Sequence, residues 1–298
     1  MNKILFVLLF FVFACGSHKT TQKPDEKSTT LEQEIARVEP QIVWACDMPI
    51  ESPYRGLACS GDAMSMTGHV MLYGHMGNFD SVIKSISIDG RPWRSPVHVN
   101  NQASDSFSRD AFIGLIESTT ASGNKEPLQR VWDYVQSTGK LCPDAGDGRC
   151  NLTQSVSILA RDALGISVSS AERLEDFVTV NAEAATVPIS YQTYLVSRKM
   201  GLKAMQNKLT PEYAHAISVL LARFPKNLFY RTVNEMAHKG NFEPIVAELT
   251  KCLAQWKTPG KEWTWSAAGP CIEDSQGHEL VALGKFLLNS PVSLGLEE

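Results

Sequence analysis

The sequence predicts an all-α protein built from helical hairpins, and three observations support this prediction. Apolar residues recur at helical spacing in one segment after another. Several of these segments end at glycine, a residue that commonly terminates helices. Few stretches alternate apolar and polar residues as a half-buried strand does. We expect about eleven helices in one domain covering residues 31–298, arranged as an α/α-toroid-like structure.

The predicted helices can be placed in chain order. The first follows Thr30, which together with Gln33 has the spacing of a capping box, and it stops at Pro40. The other helices are predicted within segments that keep an apolar face at helical spacing. These segments are 61–77, 108–118, 127–139, 152–165, 169–180, 189–201, 211–224, 228–240, 242–256 and 278–288.

The N-terminal sequence is typical of an exported lipoprotein. Residues 1–14 carry a single cation followed by an apolar stretch that is too short to span a membrane, as in a signal peptide. The ending VFAC resembles a bacterial lipobox, which makes Cys15 the predicted lipidation site. Residues 15–30 are polar and predict a solvated tether. By the same resemblance, the absence of Asp at Gly16 and Ser17 implies attachment to the outer membrane of the bacterial cell envelope in a Gram-negative cell.

Composition argues against several function classes. The formal net charge is −4, and no basic patch indicates a nucleic-acid partner. The sequence has no dinucleotide fingerprint, phosphate loop or GxSxG motif. Neither a CxxC pair nor the Cys/His spacing of a zinc site is present. We therefore expect no cofactor and no metal.

Six cysteines remain after Cys15, an even number in a chain predicted to reach an oxidising compartment. Sequence alone allows many pairings, but the cysteines fall into three close couples separated by long gaps. We predict that each couple forms a disulfide that closes a local loop. The couples are Cys46 with Cys59, Cys142 with Cys150, and Cys252 with Cys271.

A short repeat places three aspartates at intervals of 48 and 52 residues, namely Asp62, Asp110 and Asp162. Ser60 and Ser108 fall where an N-cap hydroxyl belongs, and a carboxylate in the first turn is favoured by the helix dipole. Capping therefore explains Asp62 and Asp110 without any chemistry. If their helices are adjacent, the two carboxylates could instead lie roughly 5 to 9.5 Å apart, which is the separation of the two catalytic carboxyl groups in glycosidases.

Five segments carry a resemblance, which extends over most of residues 45–290: GDAMSMTG, GRPWRSP, DSFSRDAFIGL, FYRTVNEMAHKGN and EWTWS. They resemble a group of uncharacterised secreted bacterial proteins of helical-hairpin architecture, in which FSRD is the distinctive element. More distantly, they are similar to the α/α-toroid glycoside hydrolases and polysaccharide lyases. The resemblance implies a site at the N-terminal ends of inner helices, where carboxylates and aromatic rings meet a glycan.

Two function classes follow from these residues. In the first, the protein is a glycan-active hydrolase or lyase with Asp62 and Asp110 as acid and base, or with His98 or Tyr73 as the base of a lyase. In the second, the same loops bind a glycan or a protein partner without catalysis. The predicted substrate-binding residues belong to a polar aromatic loop, to the FSRD helix and to a pair of tryptophans. Burial in the core would explain that tryptophan pair equally well. The residues are Trp93, Arg94, His98, Arg109 and Trp263.

Overall fold

The computed structural model describes residues 29–49, 63–100, 107–143, 148–187, 191–238, 240–256, 271 and 277–289, with the backbone alone at 100 and 191–194. The all-α prediction is confirmed, because the described part contains thirteen helices and one two-stranded hairpin. The helices are α1 (Leu31–Val38), α2 (Ala63–Gly74), α3 (Phe79–Lys84), α4 (Pro96–Asn100), α5 (Arg109–Ser122), α6 (Glu126–Thr138), α7 (Gln154–Leu164), α8 (Ser170–Thr186), α9 (Tyr191–Met205), α10 (Pro211–Arg223), α11 (Leu228–His238), α12 (Glu243–Gln255) and α13 (His278–Asn289).

Local sequence accounts for many of the helix ends. The predicted capping box is present at α1, where the Thr30 hydroxyl accepts from the Gln33 backbone and the Gln33 side chain accepts from the Thr30 backbone. Gly139 and Gly165 end α6 and α7 in the left-handed conformation, as predicted for helix-terminating glycines. The short helices α3 and α4 and the hairpin of Trp44–Ala45 with Met48–Pro49 were not predicted, because they are too short to show a period.

Helices α2 and α5 form the centre of the core. Every residue of α2 is buried, as is the run Ala111–Thr119 of α5. The two helices touch where glycine faces glycine: a Cβ on Gly114 would lie 2.3 Å from the Met64 carbonyl oxygen, and one on Gly68 would lie 2.0 Å from the Gly114 carbonyl oxygen. Only hydrogen at these positions lets the two backbones approach so closely.

Eight of the described helices, including α2 and α5, form a closed circuit of contacts. In this circuit α2 packs on α5, and the contacts continue through α7, α8, α10, α11, α12 and α13 back to α2. Helix α9 lies inside it and contacts α5, α7, α8, α10 and α11. A toroid with an accessible centre is not confirmed by this packing, because α9 occupies the middle of the circuit.

The second and third copies of the repeat lie at different helix positions. Asp162 lies in the last turn of α7 and not at a helix start. Its carboxylate accepts two hydrogen bonds from the Arg173 guanidinium, at 2.6 and 3.1 Å, which ties α7 to α8. The match of RDAL with RDAF is therefore out of phase with the helices.

Two of the three predicted disulfides are observed, Cys142–Cys150 and Cys252–Cys271. The first closes a turn in which the Leu141 amide also donates to the Cys150 carbonyl at 2.8 Å. The second joins the end of α12 to the segment that precedes α13. Cys59, the predicted partner of Cys46, lies outside the described residues, as does the predicted lipidation site Cys15. No described helix is both long and apolar enough to cross a membrane.

Candidate functional site

A cavity of about 180 Å³ opens beside the first residue of α5. Four helices supply its walls: the starts of α5 and α7, the end of α8 and the middle of α9. The polar part of its lining is Arg109, Thr153, Glu183 and Lys199. Arg109, predicted from the FSRD segment, thus lies in a real concavity.

The two cations that line the cavity differ in their hydrogen bonds. Lys199 is only 5% exposed, and its ammonium donates one hydrogen bond, to the Glu183 carboxylate at 2.7 Å. An ammonium has three N–H donors, so two remain without an acceptor among the described residues. The half-buried guanidinium of Arg109 has neither a hydrogen bond nor an ion pair within the described part of the chain. The cavity therefore presents unused donors.

The remaining walls are aliphatic. Thr153, the N-cap residue of α7, makes no capping hydrogen bond with its side chain. The other lining residues carry no polar side-chain atoms, and they are Ile113, Val156, Val187, Leu195 and Val196. A ligand here would meet donors on one part of its surface and methyl groups on the rest.

The loop between α3 and α4 connects the starts of α2 and α5. The Arg94 carbonyl accepts from the Met64 amide at 3.1 Å in the first turn of α2, and the Arg94 guanidinium donates to the Ser108 hydroxyl at 3.2 Å. Ser108 occupies the N-cap position of α5 as predicted, but its hydroxyl makes no capping bond to the helix. The adjacency of α2 and α5, on which the catalytic hypothesis depended, is therefore observed.

Two other predicted binding residues serve the loop itself. Trp93 is 1% exposed, its indole N–H donates to the Ser87 hydroxyl at 2.6 Å, and the Arg91 guanidinium stacks on its ring at 3.8 Å. A buried ring has no open face for a sugar, so Trp93 is a packing residue. His98 lies in α4, and its Nδ1 atom is 2.7 Å from the hydroxyl oxygen of Ser95, which directly precedes that helix.

Of the predicted acid and base, only Asp110 lies within the described residues. Asp110 is half-buried in the first turn of α5, but it is not among the described residues that line the cavity. Asp62 and Trp263 lie outside the described residues. The only carboxylate in the described lining is that of Glu183, which is paired with Lys199.

A second polar cluster is buried in the core between α2, α5 and α9. The Arg198 guanidinium pairs with Glu117, both side chains being 0% exposed, and it also donates to the Ser65 carbonyl at 2.9 Å. Burial raises the pKa of the Glu117 carboxyl, although Arg198 opposes that rise. Burial also holds the pKa of His69 well below its ordinary value and that of Tyr73 well above it. These groups are enclosed in the core and cannot meet a ligand.

Neither Lys199 nor Arg198 is among the residues predicted from the sequence. The pattern that could have revealed them is SRKMG, two consecutive cations inside an otherwise apolar helical segment. Charged residues are seldom fully buried unless they are paired, so such a doublet requires acidic partners elsewhere in the chain.

No family model, curated protein or solved structure matches this chain.

Proposed function

We propose that this chain is a lipid-anchored protein of the bacterial cell envelope whose helical domain binds a ligand at the start of α5 without turning it over. The observation that carries the proposal is the cavity lined by Arg109 and Lys199, which has unused donors and only one, already paired, carboxylate among its described lining residues. Hydrolysis of a glycan generally requires two carboxylates on either side of the bond. Binding requires only complementary groups.

The anchor is supported by the lipobox-like VFAC and the polar tether after Cys15. Replacing Cys15 with Ser removes the thiol that would be acylated, and the tether has no apolar segment of its own to hold the membrane. We expect Cys15→Ser to abolish incorporation of labelled fatty acid and to move the protein from the membrane fraction to the soluble fraction. Retention of this variant in membranes would contradict the anchor.

A glycan-active enzyme is the second candidate. It is favoured by the adjacency of α2 and α5, whose starts are connected through Arg94. In this alternative Asp110 acts with Asp62, and Arg94 and Arg109 hold an acidic substrate.

One experiment separates the two candidates. The mature protein in detergent is incubated with a panel of bacterial and algal polysaccharides and with envelope protein extracts, and both retention of the ligand and release of new chain ends are measured. We expect retention without new ends. Chain ends that appear with the wild type and disappear with Asp110→Asn, at nearly unchanged melting temperature, would replace the binding proposal with the enzyme.

A further inference from the structure

We infer that the cavity at the start of α5 is a carboxylate site, and that its ligand is a compact aliphatic carboxylate or the C-terminal carboxylate of a peptide that ends in an aliphatic residue. The inference rests on the proposed function, since it names the chemistry of the ligand bound there. It follows from the charge, the shape and the apolar walls of the cavity.

Charge selects a monoanion. The described lining carries Arg109 and Lys199 against Glu183, which leaves a net charge of +1. Because Lys199 and Glu183 are already paired at 2.7 Å, the unmatched charge belongs to Arg109. A carboxylate neutralises that charge completely, whereas a phosphate dianion would leave an excess negative charge in a half-enclosed site.

The geometry of the donors in the cavity also favours a carboxylate. The guanidinium is a planar fork whose N–H groups match the two oxygens of a carboxylate. Buried donors in native proteins are nearly always matched by acceptors, and the ammonium of Lys199 keeps two donors that no described residue uses. A carboxylate bound by Arg109 beside Lys199 supplies these acceptors.

The walls define the body of the ligand. Five of the lining residues are aliphatic, so the group attached to the carboxylate is expected to be a short branched hydrocarbon and not a polyhydroxylated ring. The volume of about 180 Å³ is below the range of about 300–1,000 Å³ for pockets that enclose drug-sized ligands. The cavity therefore suits a small molecule or the end of a longer one.

The test uses isovalerate as the probe and its uncharged amide as the matched control, titrated into the mature protein by calorimetry. We expect isovalerate to bind and the amide not to bind. A tripeptide ending in valine, with a free or an amidated C-terminus, forms the second arm. If isovalerate binds more tightly than the tripeptide with a free C-terminus, the ligand is a small molecule. If that tripeptide binds more tightly than isovalerate, the ligand is the end of a peptide.

Two cavity variants should act in opposite directions. Arg109→Gln removes the fork and should weaken binding by about tenfold or more. Glu183→Gln removes the competing carboxylate, frees Lys199 and should strengthen binding. The exposed residues Lys226 and Glu32 lie outside the cavity lining, so Lys226→Gln and Glu32→Gln change the net charge equally and should leave affinity unchanged.

Several outcomes would overturn the inference: no binding of either acid to the wild type or to Glu183→Gln, equal binding of acid and amide, or equal affinities of Arg109→Gln and Lys226→Gln. Because the side chain of Arg109 makes no hydrogen bond in the described structure, its variant should fold, and an unchanged melting temperature verifies this. If carboxylates fail while a ligand from the panel is retained, only the carboxylate inference falls. Release of chain ends would instead overturn the proposed function.

Discussion

Arg198 and Lys199 are consecutive on α9, yet their environments differ completely. Arg198 points into the core, where its ion pair with Glu117 is 0% exposed on both sides. Lys199 points toward the cavity, where its pair with Glu183 has side chains 7% and 35% exposed. Consecutive residues of a helix point about 100° apart, so one helix supplies both a fully buried cation of the core and a cation of the candidate site.

The difference between the two cations lies in how their donors are used. Arg198 donates to both carboxylate oxygens of Glu117 and to the hydroxyl and carbonyl of Ser65, which joins α9 to α5 and α2. Lys199 donates once, to Glu183. A fully satisfied buried charge specifies structure, whereas unused donors in a concavity are available to a ligand.

The largest expected effect comes from breaking the inner pair. Arg198→Met leaves the Glu117 carboxylate buried without a partner and should lower the free energy of unfolding by about 3–5 kcal/mol, measured by urea denaturation. The double variant Arg198→Met/Glu117→Leu removes both charges and should recover most of this loss. If the single variant were as stable as the wild type, or if the double variant did not recover, the pair would not have the role assigned to it.

The next effect tests the glycine contact that holds α5 against α2. Gly114→Ala places a methyl group 2.3 Å from the Met64 carbonyl oxygen, and we expect a loss of about 3 kcal/mol, at the upper end for overpacking. Gly139→Ala is the control, because its Cβ meets nothing within 4 Å and only its positive φ of 73° opposes the substitution. The control should cost about 1 kcal/mol. Equal losses would show that the close approach does not limit stability.

The cavity pair should contribute little to stability. Lys199→Met should change the free energy of unfolding by less than about 1 kcal/mol, because the partly exposed Glu183 regains water when its partner is removed. The same urea denaturation measures this change. A loss as large as that of Arg198→Met would mean that both Arg198 and Lys199 are structural, and the contrast between them would disappear.

The smallest expected effect is a dependence of stability on pH, and it sharpens the contrast between buried and exposed carboxylates. The Arg161 guanidinium and the Ser169 cap lower the pKa of Glu172 to about 2, whereas burial raises that of Glu117. A lowered carboxyl pKa stabilises the fold above the ordinary value of 4.5 and loses that contribution as pH falls toward 2. The stability difference between the wild type and Glu172→Gln should therefore shrink over that interval. A pH-independent difference would contradict this linkage.

Part of the candidate site could be predicted from the sequence. Arg109 was selected because a charged residue at a helix start follows a polar aromatic loop, and it lines the cavity. The same reasoning assigned ligand contacts to Trp93, which is buried in its own loop. A sequence shows that a loop carries polar and aromatic groups, but which of them face solvent depends on the helices packed against the loop.

The sequence by itself determined the features that depend on near neighbours. The caps of α1 and α8 join residues three apart, and both observed disulfides close short loops, so local chemistry decides them. Tertiary structure alone decided that α9 lies inside the circuit and that Arg198 meets partners 81 and 133 residues away. The physical reason is that an apolar helical period shows which face is buried but not which other helix covers it. Contacts between distant segments depend on the packing of the whole chain, and the cavity beside Arg109 exists only where four such segments meet.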